Sequence, residues 1–162
     1  MENVREISFA SLTKVEKYEY ILQCLNELID AKVGRNANLG NTMSLLKQVH
    51  NWWWVGIYKV KNNMLELDVF QGDPACTTIQ IGKGVCGHTW LHRQTTIVPN
   101  VHEFPGHIAC SSQSNSEIVV PIFNNSKEVL GVLDVDSKDF SCFDEVDRNY
   151  LEQICTKLAA LV

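Results

Sequence analysis

Apolar residues recur at steps of three and four through Tyr18, Ile21, Leu22, Leu25, Leu28 and Ile29. That is the period of an amphipathic helix over residues 13–30, stopped at Gly34. A second helical stretch runs through Leu39, Met43, Leu46 and Val49, with Asn36 or Asn38 as its expected N-cap. The texture then changes. Residues 52–60 are aromatic and β-branched, Lys61, Asn62 and Asn63 read as a turn, and Leu65, Leu67 and Val69 alternate with polar neighbours. Together they predict a β-hairpin. A short strand is expected over 77–81, leading into GKGVCG and a brief helical turn near 89–93; another strand is expected over 95–98, closed by Pro99. A second hairpin follows, 118–123 and 129–136, around a turn at 124–127. Finally Asp144 is placed to cap a helix, with Asp147 at N3 and Val146, Tyr150, Leu151, Ile154, Leu158 and Leu161 on one face.

No internal repeat or linker divides the chain, so the expectation is one domain over residues 1–162. Its class is α+β: a sheet of about six mostly antiparallel strands, with the N-terminal helices and the C-terminal helix packed on one face.

Hydrophobic residues at 45% and charged residues at 20% are ordinary for a soluble globule. A net charge of −5, with no block of Lys or Arg, argues against nucleic acid or an anionic membrane as partner. No apolar run approaches the roughly 18 residues needed to span a bilayer. The polar, acidic N-terminus lacks the pattern of a signal peptide. The expected location is the cytoplasm. In such a reducing compartment six cysteines are not a disulfide framework. Cys24 and Cys155 sit among apolar neighbours on helical patterns and read as core thiols, while Cys142 fits packing or chemistry. Cys76, Cys86 and Cys110 fall beside Gly, Pro or Ser and need another explanation. Cys110 lies inside an irregular run of about 17 residues, 101–117. Runs of that length in a compact domain are usually functional.

Acidic residues supply a second feature. Asp134 and Asp136 lie two apart on an expected strand, hence on one face, about 6.5–7 Å apart. Repulsion and desolvation there would raise at least one pKa, giving a proton donor near neutral pH or a receptor for an ammonium group. Pairing Phe123 with Glu128 across the hairpin turn would set Glu117 opposite Asp134.

Three chemistries compete for the thiols. A zinc site has soft ligands in Cys86, His88, His92, His102, His107 and Cys110, but no paired CxxC, so no metal is expected. A hydrolase dyad of Cys110 and His107 leaves the other cysteines unexplained. Thiol redox chemistry uses them: an attacking thiolate becomes a sulfenic acid, and a second thiol condenses with it. Cys110 suits the attacker and Cys76 is a candidate partner.

GDPAC (72–76), GKGVCG (82–87), GHIACSSQSNSEIVVPI (106–122) and GVLDVDS (131–137) closely resemble the free methionine-(R)-sulfoxide reductases, which are GAF-domain enzymes. The resemblance runs from about Asn51 to the C-terminal helix. It implies a GAF-like fold and reduction of free L-methionine (R)-sulfoxide, an oxidative-stress activity needing no cofactor. It implies Cys110 as nucleophile, Cys76 as the cysteine that resolves it to a disulfide, and Cys86 in a secondary part as relay or spare. Glu117, Asp134 and Asp136 match the acidic pocket, and Trp54 matches an aromatic lining position. It further implies thioredoxin as reductant and a homodimer as a candidate assembly. The rival reading is a non-catalytic GAF module that senses a small ligand. Such sensors are normally fused to an output domain, whereas one domain is expected here. A reductase of protein-bound sulfoxide and a general thiol peroxidase are the remaining alternatives.

Overall fold

The computed structural model describes residues 8–108, 110 and 112–162. Residues 1–7, where the reading of the N-terminus falls, and Ala109 and Ser111 lie outside the described residues. Helix α1, Lys14–Leu28, starts at a capping box in which Thr13 accepts from the Glu16 backbone and Glu16 answers to Thr13. Helix α2 is Arg35–His50. The expected Asn caps are not used: Gly34 holds the N-cap position, and Asn36 and Asn38 lie within the helix. Asn38 instead accepts from the Asp30 N–H at 3.2 Å and donates to the Asp30 carbonyl at 2.9 Å, which locks the turn between α1 and α2.

Six strands follow in one antiparallel sheet: β1 Trp54–Lys61, β2 Met64–Gln71, β3 Thr78–Gln80, β4 Thr96–Val98, β5 Ser116–Phe123 and β6 Val129–Ser137. Their spatial order is β3-β2-β1-β6-β5-β4. Helix α3, Gly84–His92, occupies the segment expected to be a loop and a brief turn. The glycines that obscured it are needed for contact. A Cβ on Gly87 would lie 2.3 Å from the Gln80 carbonyl, so only glycine lets α3 press against β3. Helix α4, Glu145–Leu158, begins at the expected capping box of Asp144 and Asp147.

The second hairpin differs in register from expectation. Phe123 pairs with Val129 rather than Glu128, and an irregularity between Ile122 and Phe123 shifts the ladder again, so Glu117 faces Asp136. Because the total slip is two residues, every side chain keeps its expected face. The long loop contains one short 3-10 turn, Val101–Glu103, and is anchored at both ends. Val101 N–H donates to the Asn115 carbonyl at 3.0 Å and Asn115 N–H to the Ser137 carbonyl at 2.8 Å.

Alternation along the strands builds two distinct faces. Val55, Ile57, Ile118, Val120, Leu133 and Val135 pack under α1, α2 and α4 in the larger core. Trp54, Tyr58, Val119 and Val132 point the other way, toward α3 and the loops. Within the described residues no helix is long and apolar enough to cross a membrane.

Candidate active site

The second face carries the acids. Strand β6 sets Asp134 between Gly56 of β1 and Val119 of β5, and Asp136 between Trp54 and Glu117. Glu117 and Asp134 are 6% and 7% exposed, so both are nearly removed from water. Cys86, on the first turn of α3, is buried above them. Its sulfur and one oxygen each of Glu117 and Asp134 lie within 4.8 Å of one another. One small cavity is lined by Trp54, Tyr58, Cys86, His107, Cys110, Ser114, Glu117, Asp134 and Asp136, together with apolar residues of α3 and the loops. All seven residues singled out from the sequence, Cys76 included through its bond to Cys110, therefore meet in one place.

Electrostatics follow from burial without a counter-charge. No Lys or Arg is among the lining residues. Desolvation, then the charges of Asp134 and Asp136, pushes the Glu117 carboxyl well up. Asp136 is raised for the same two reasons, burial and then Asp134. Burial lifts Asp134 to about 6, with hydrogen bonds from Glu117 and Cys86 working against the rise. Asp134 Oδ1 is buried with no hydrogen-bond partner among the described residues. The Cys86 thiol is held up by burial and by these carboxylates, so it keeps its proton. His107 Nε2 lies 3.9 Å from Glu117 Oε2. Burial depresses its pKa, so the ring is neutral near pH 7 and does not offset the acids.

Across the cavity, Cys76 and Cys110 form a disulfide spanning 34 residues of sequence, with Cα atoms 5.4 Å apart. Strand β1 pins the Cys76 segment from below. Trp54 Nε1 donates to the Asp73 carbonyl at 2.9 Å, and the Tyr58 hydroxyl donates to the Cys76 carbonyl at 2.9 Å. Gly56 lies between these two aromatics in the strand. A Cβ there would come within 2.3 Å of the Trp54 ring, so its absence is what lets the indole lie across the sheet. The tryptophan triplet is thereby sorted. Trp52 packs in the helical core, the Trp53 ring lies under Lys138 Nζ at 3.7 Å, and Trp54 faces the cavity.

The soft ligands considered for zinc do not converge as a set. The His88 and His92 rings lie 4.0 Å apart and tilted, His102 bonds Asn115, and Cys110 is bonded to Cys76. Cys24, Cys142 and Cys155 pack against the helical core. Three polar lining residues escaped the sequence reading: Tyr58, His107 and Ser114. Tyr58 is four residues after Trp54 on one strand, hence on the same face, a signal that was there to be used. His107 reads from sequence only as a dyad partner or metal ligand, and its place opposite Glu117 depends on how the loop folds back.

A family model for the GAF domain matches residues 43–162. GAF domain-containing protein A of Dictyostelium discoideum is 46% identical over 150 residues, covering 92% of this chain and 94% of its own length. Free methionine-R-sulfoxide reductase of Saccharomyces cerevisiae is 42% identical over 161 residues, covering 94% of this chain and 87% of its own length. The X-ray structure of free methionine-R-sulfoxide reductase from Neisseria meningitidis in complex with its substrate matches with a TM-score of 0.88 at 40% identity, covering 96% of this chain and 93% of that one.

Proposed function

Because the chain belongs to the GAF-domain family, among the free methionine-(R)-sulfoxide reductases, we propose that it reduces free L-methionine (R)-sulfoxide with its own thiols. The observation that carries this reading is the Cys76–Cys110 bond at a cavity lined by Glu117, Asp134 and Asp136. In the reduced protein the Cys110 thiolate attacks the sulfoxide sulfur. A bond forms between the two sulfurs as the S–O bond breaks and the protonated oxygen departs as water. Water then adds to the Cys110 sulfur, methionine leaves with the electron pair of the S–S bond, and Cys110 is left as sulfenic acid. The Cys76 thiol then displaces water and the disulfide forms. Sulfoxide and two thiols thus become thioether, water and disulfide, and an external dithiol protein, thioredoxin in this reading, restores the thiols.

The unequal surroundings of the carboxyls assign their parts. Asp134, the one stabilised by neighbouring donors, ionises at neutral pH and receives the α-ammonium at its unpartnered oxygen. Glu117, raised further by the Asp134 charge, keeps its proton and serves as general acid. Trp54 and Tyr58 wall the side that the methyl thioether occupies. An ammonium receptor of this kind discriminates against methionine sulfoxide within a polypeptide, where the amine has become an amide. Cys86 stands beside the acids as a protonated thiol and takes no step here. The reading requires a reducing compartment such as the cytoplasm, and family resemblance extends it to a homodimer, which light scattering would measure.

The test is NADPH consumption with thioredoxin and its reductase, offering free L-methionine (R)-sulfoxide, its S epimer and an N-blocked peptide form. Turnover of the first alone is expected. Equal rates on all three would reject the ammonium receptor. No turnover of any would leave a ligand-binding module.

A further inference from the structure

We propose that Cys86, Glu117 and Asp134 form a binding site for a divalent transition-metal ion, Zn2+ above all. The three side chains come from three separate rigid elements, α3, β5 and β6, and their ligand atoms lie within 4.8 Å of one another. Around a tetrahedral zinc ion a sulfur and an oxygen ligand stand about 3.6 Å apart, for a Zn–S bond of about 2.3 Å and a Zn–O bond of about 2.1 Å. The three atoms close on an ion by approaching one another by about 1 Å, a movement that side-chain rotation supplies. Asp134 is 7% exposed and its Oδ1 has no partner among the described residues, so a lone pair already faces the cavity unused.

The donor set selects the metal. One sulfur and two carboxylate oxygens suit zinc and its neighbours, whereas Mg2+ and Ca2+ require an all-oxygen shell of six to eight ligands. Three protein ligands leave a fourth position open to the cavity, where water completes a tetrahedron. The charge balance is favourable as well. No Lys or Arg lines the cavity, and Cys86 and Glu117 each give up a proton to bind the ion. A dication replaces those two protons, and thiolate plus two carboxylates against Zn2+ leaves a net charge of −1. Cys76 and Cys110 are not needed, so the site is complete while their disulfide is intact. Binding stands on these three side chains alone and does not depend on sulfoxide chemistry. If that chemistry is also right, the ion takes Asp134 and Glu117 from substrate and acts as a reversible brake.

Cobalt, which takes the place of zinc and absorbs light, tests the site in the full chain with its disulfide intact. Titration with Co2+ should produce a thiolate-to-cobalt charge-transfer band that saturates at one ion per chain and disappears on adding Zn2+. Cys86→Ser should remove the band, Asp134→Asn should raise the cobalt midpoint about tenfold or more, and Cys24→Ser should leave the titration unchanged. X-ray absorption on the zinc-loaded wild-type protein, which needs no variant, should show one sulfur and otherwise oxygen. A missing band, a band that survives in folded Cys86→Ser, or a shell of two sulfurs or of imidazole nitrogens would overturn the proposal.

Discussion

Asp147 and Asp134 are both buried aspartates, one on each side of the sheet, and their surroundings are opposite. Asp147 is 1% exposed and fully employed. It accepts from Lys14 Nζ at 2.6 Å, the Tyr18 hydroxyl at 2.7 Å and the Asp144 N–H at 2.8 Å, tying α1 to α4. Among the described residues no Lys or Arg lines the cavity around Asp134, and one of its oxygens has no partner. A buried carboxylate with its donors supplied is a scaffold joint. One left short of donors, in a cavity it shares with two more acids and a thiol, is poised for something that comes from outside. The helical face thus supplies Asp147 with its donors, while Asp134 on the loop-covered face keeps one oxygen unpartnered among the described residues.

The sharpest way to separate the faces is to remove one thiol from each. Cys110→Ser should lower methionine release from the free sulfoxide about a thousandfold or more, whereas Cys24→Ser should leave it unchanged. Activity surviving the first change would move the nucleophile elsewhere. On the scaffold side, Asp147→Ala deprives Tyr18 of its acceptor, takes from Lys14 one of three acceptors, and removes half of a capping box. Urea unfolding should show a loss of about 3 kcal/mol, with the single-turnover rate unchanged at temperatures where the variant is folded.

Asp134 should make the stability of the fold depend on pH. Its folded-state pKa is raised from 3.8 to about 6 by burial. The folded protein therefore holds this proton more tightly than the unfolded chain does. The stability it contributes is fully present below about pH 4 and is lost as pH rises through 6, an effect of about 3 kcal/mol for an uncoupled group. Asp134→Asn cannot ionise, so its stability relative to wild type should climb across that window, measured by urea midpoints at each pH. A flat difference would mean the carboxyl is not held protonated. Glu117→Gln should slow methionine release about a hundredfold while also raising the unfolding midpoint at neutral pH. Smallest of all, Tyr58→Phe removes the hydrogen bond to the Cys76 carbonyl, worth about 1 kcal/mol. It should slow disulfide formation several-fold, read by rapid quench and alkylation, with methionine release little altered.

Much of the scaffold could be read from local signals, because those signals act locally. The Thr13 and Asp144 caps, the period of α4 and the strand alternation each involve residues a few positions apart. The two aspartates of β6 shared a face for the same reason. What escaped depends on contacts across the fold. Gly84 and Gly87 argue against a helix by propensity, yet the approach of α3 to β3 demands glycine at 87. The irregularity at Ile122 and Phe123 has no marker in the sequence, and together with the pairing of Phe123 to Val129 it moved the partner of Glu117 from Asp134 to Asp136. The burial of Cys86 over the acids followed from α3, so missing that helix hid the thiol's neighbours too.

The disulfide has a kinetic corollary. In the proposed reaction the attacking sulfur is occupied while Cys76 and Cys110 are joined, so an incoming sulfoxide would find no nucleophile until a dithiol had come and gone. The two reactants must take turns on the protein. Varying one at several fixed levels of the other should give parallel double-reciprocal lines, the signature of a ping-pong cycle.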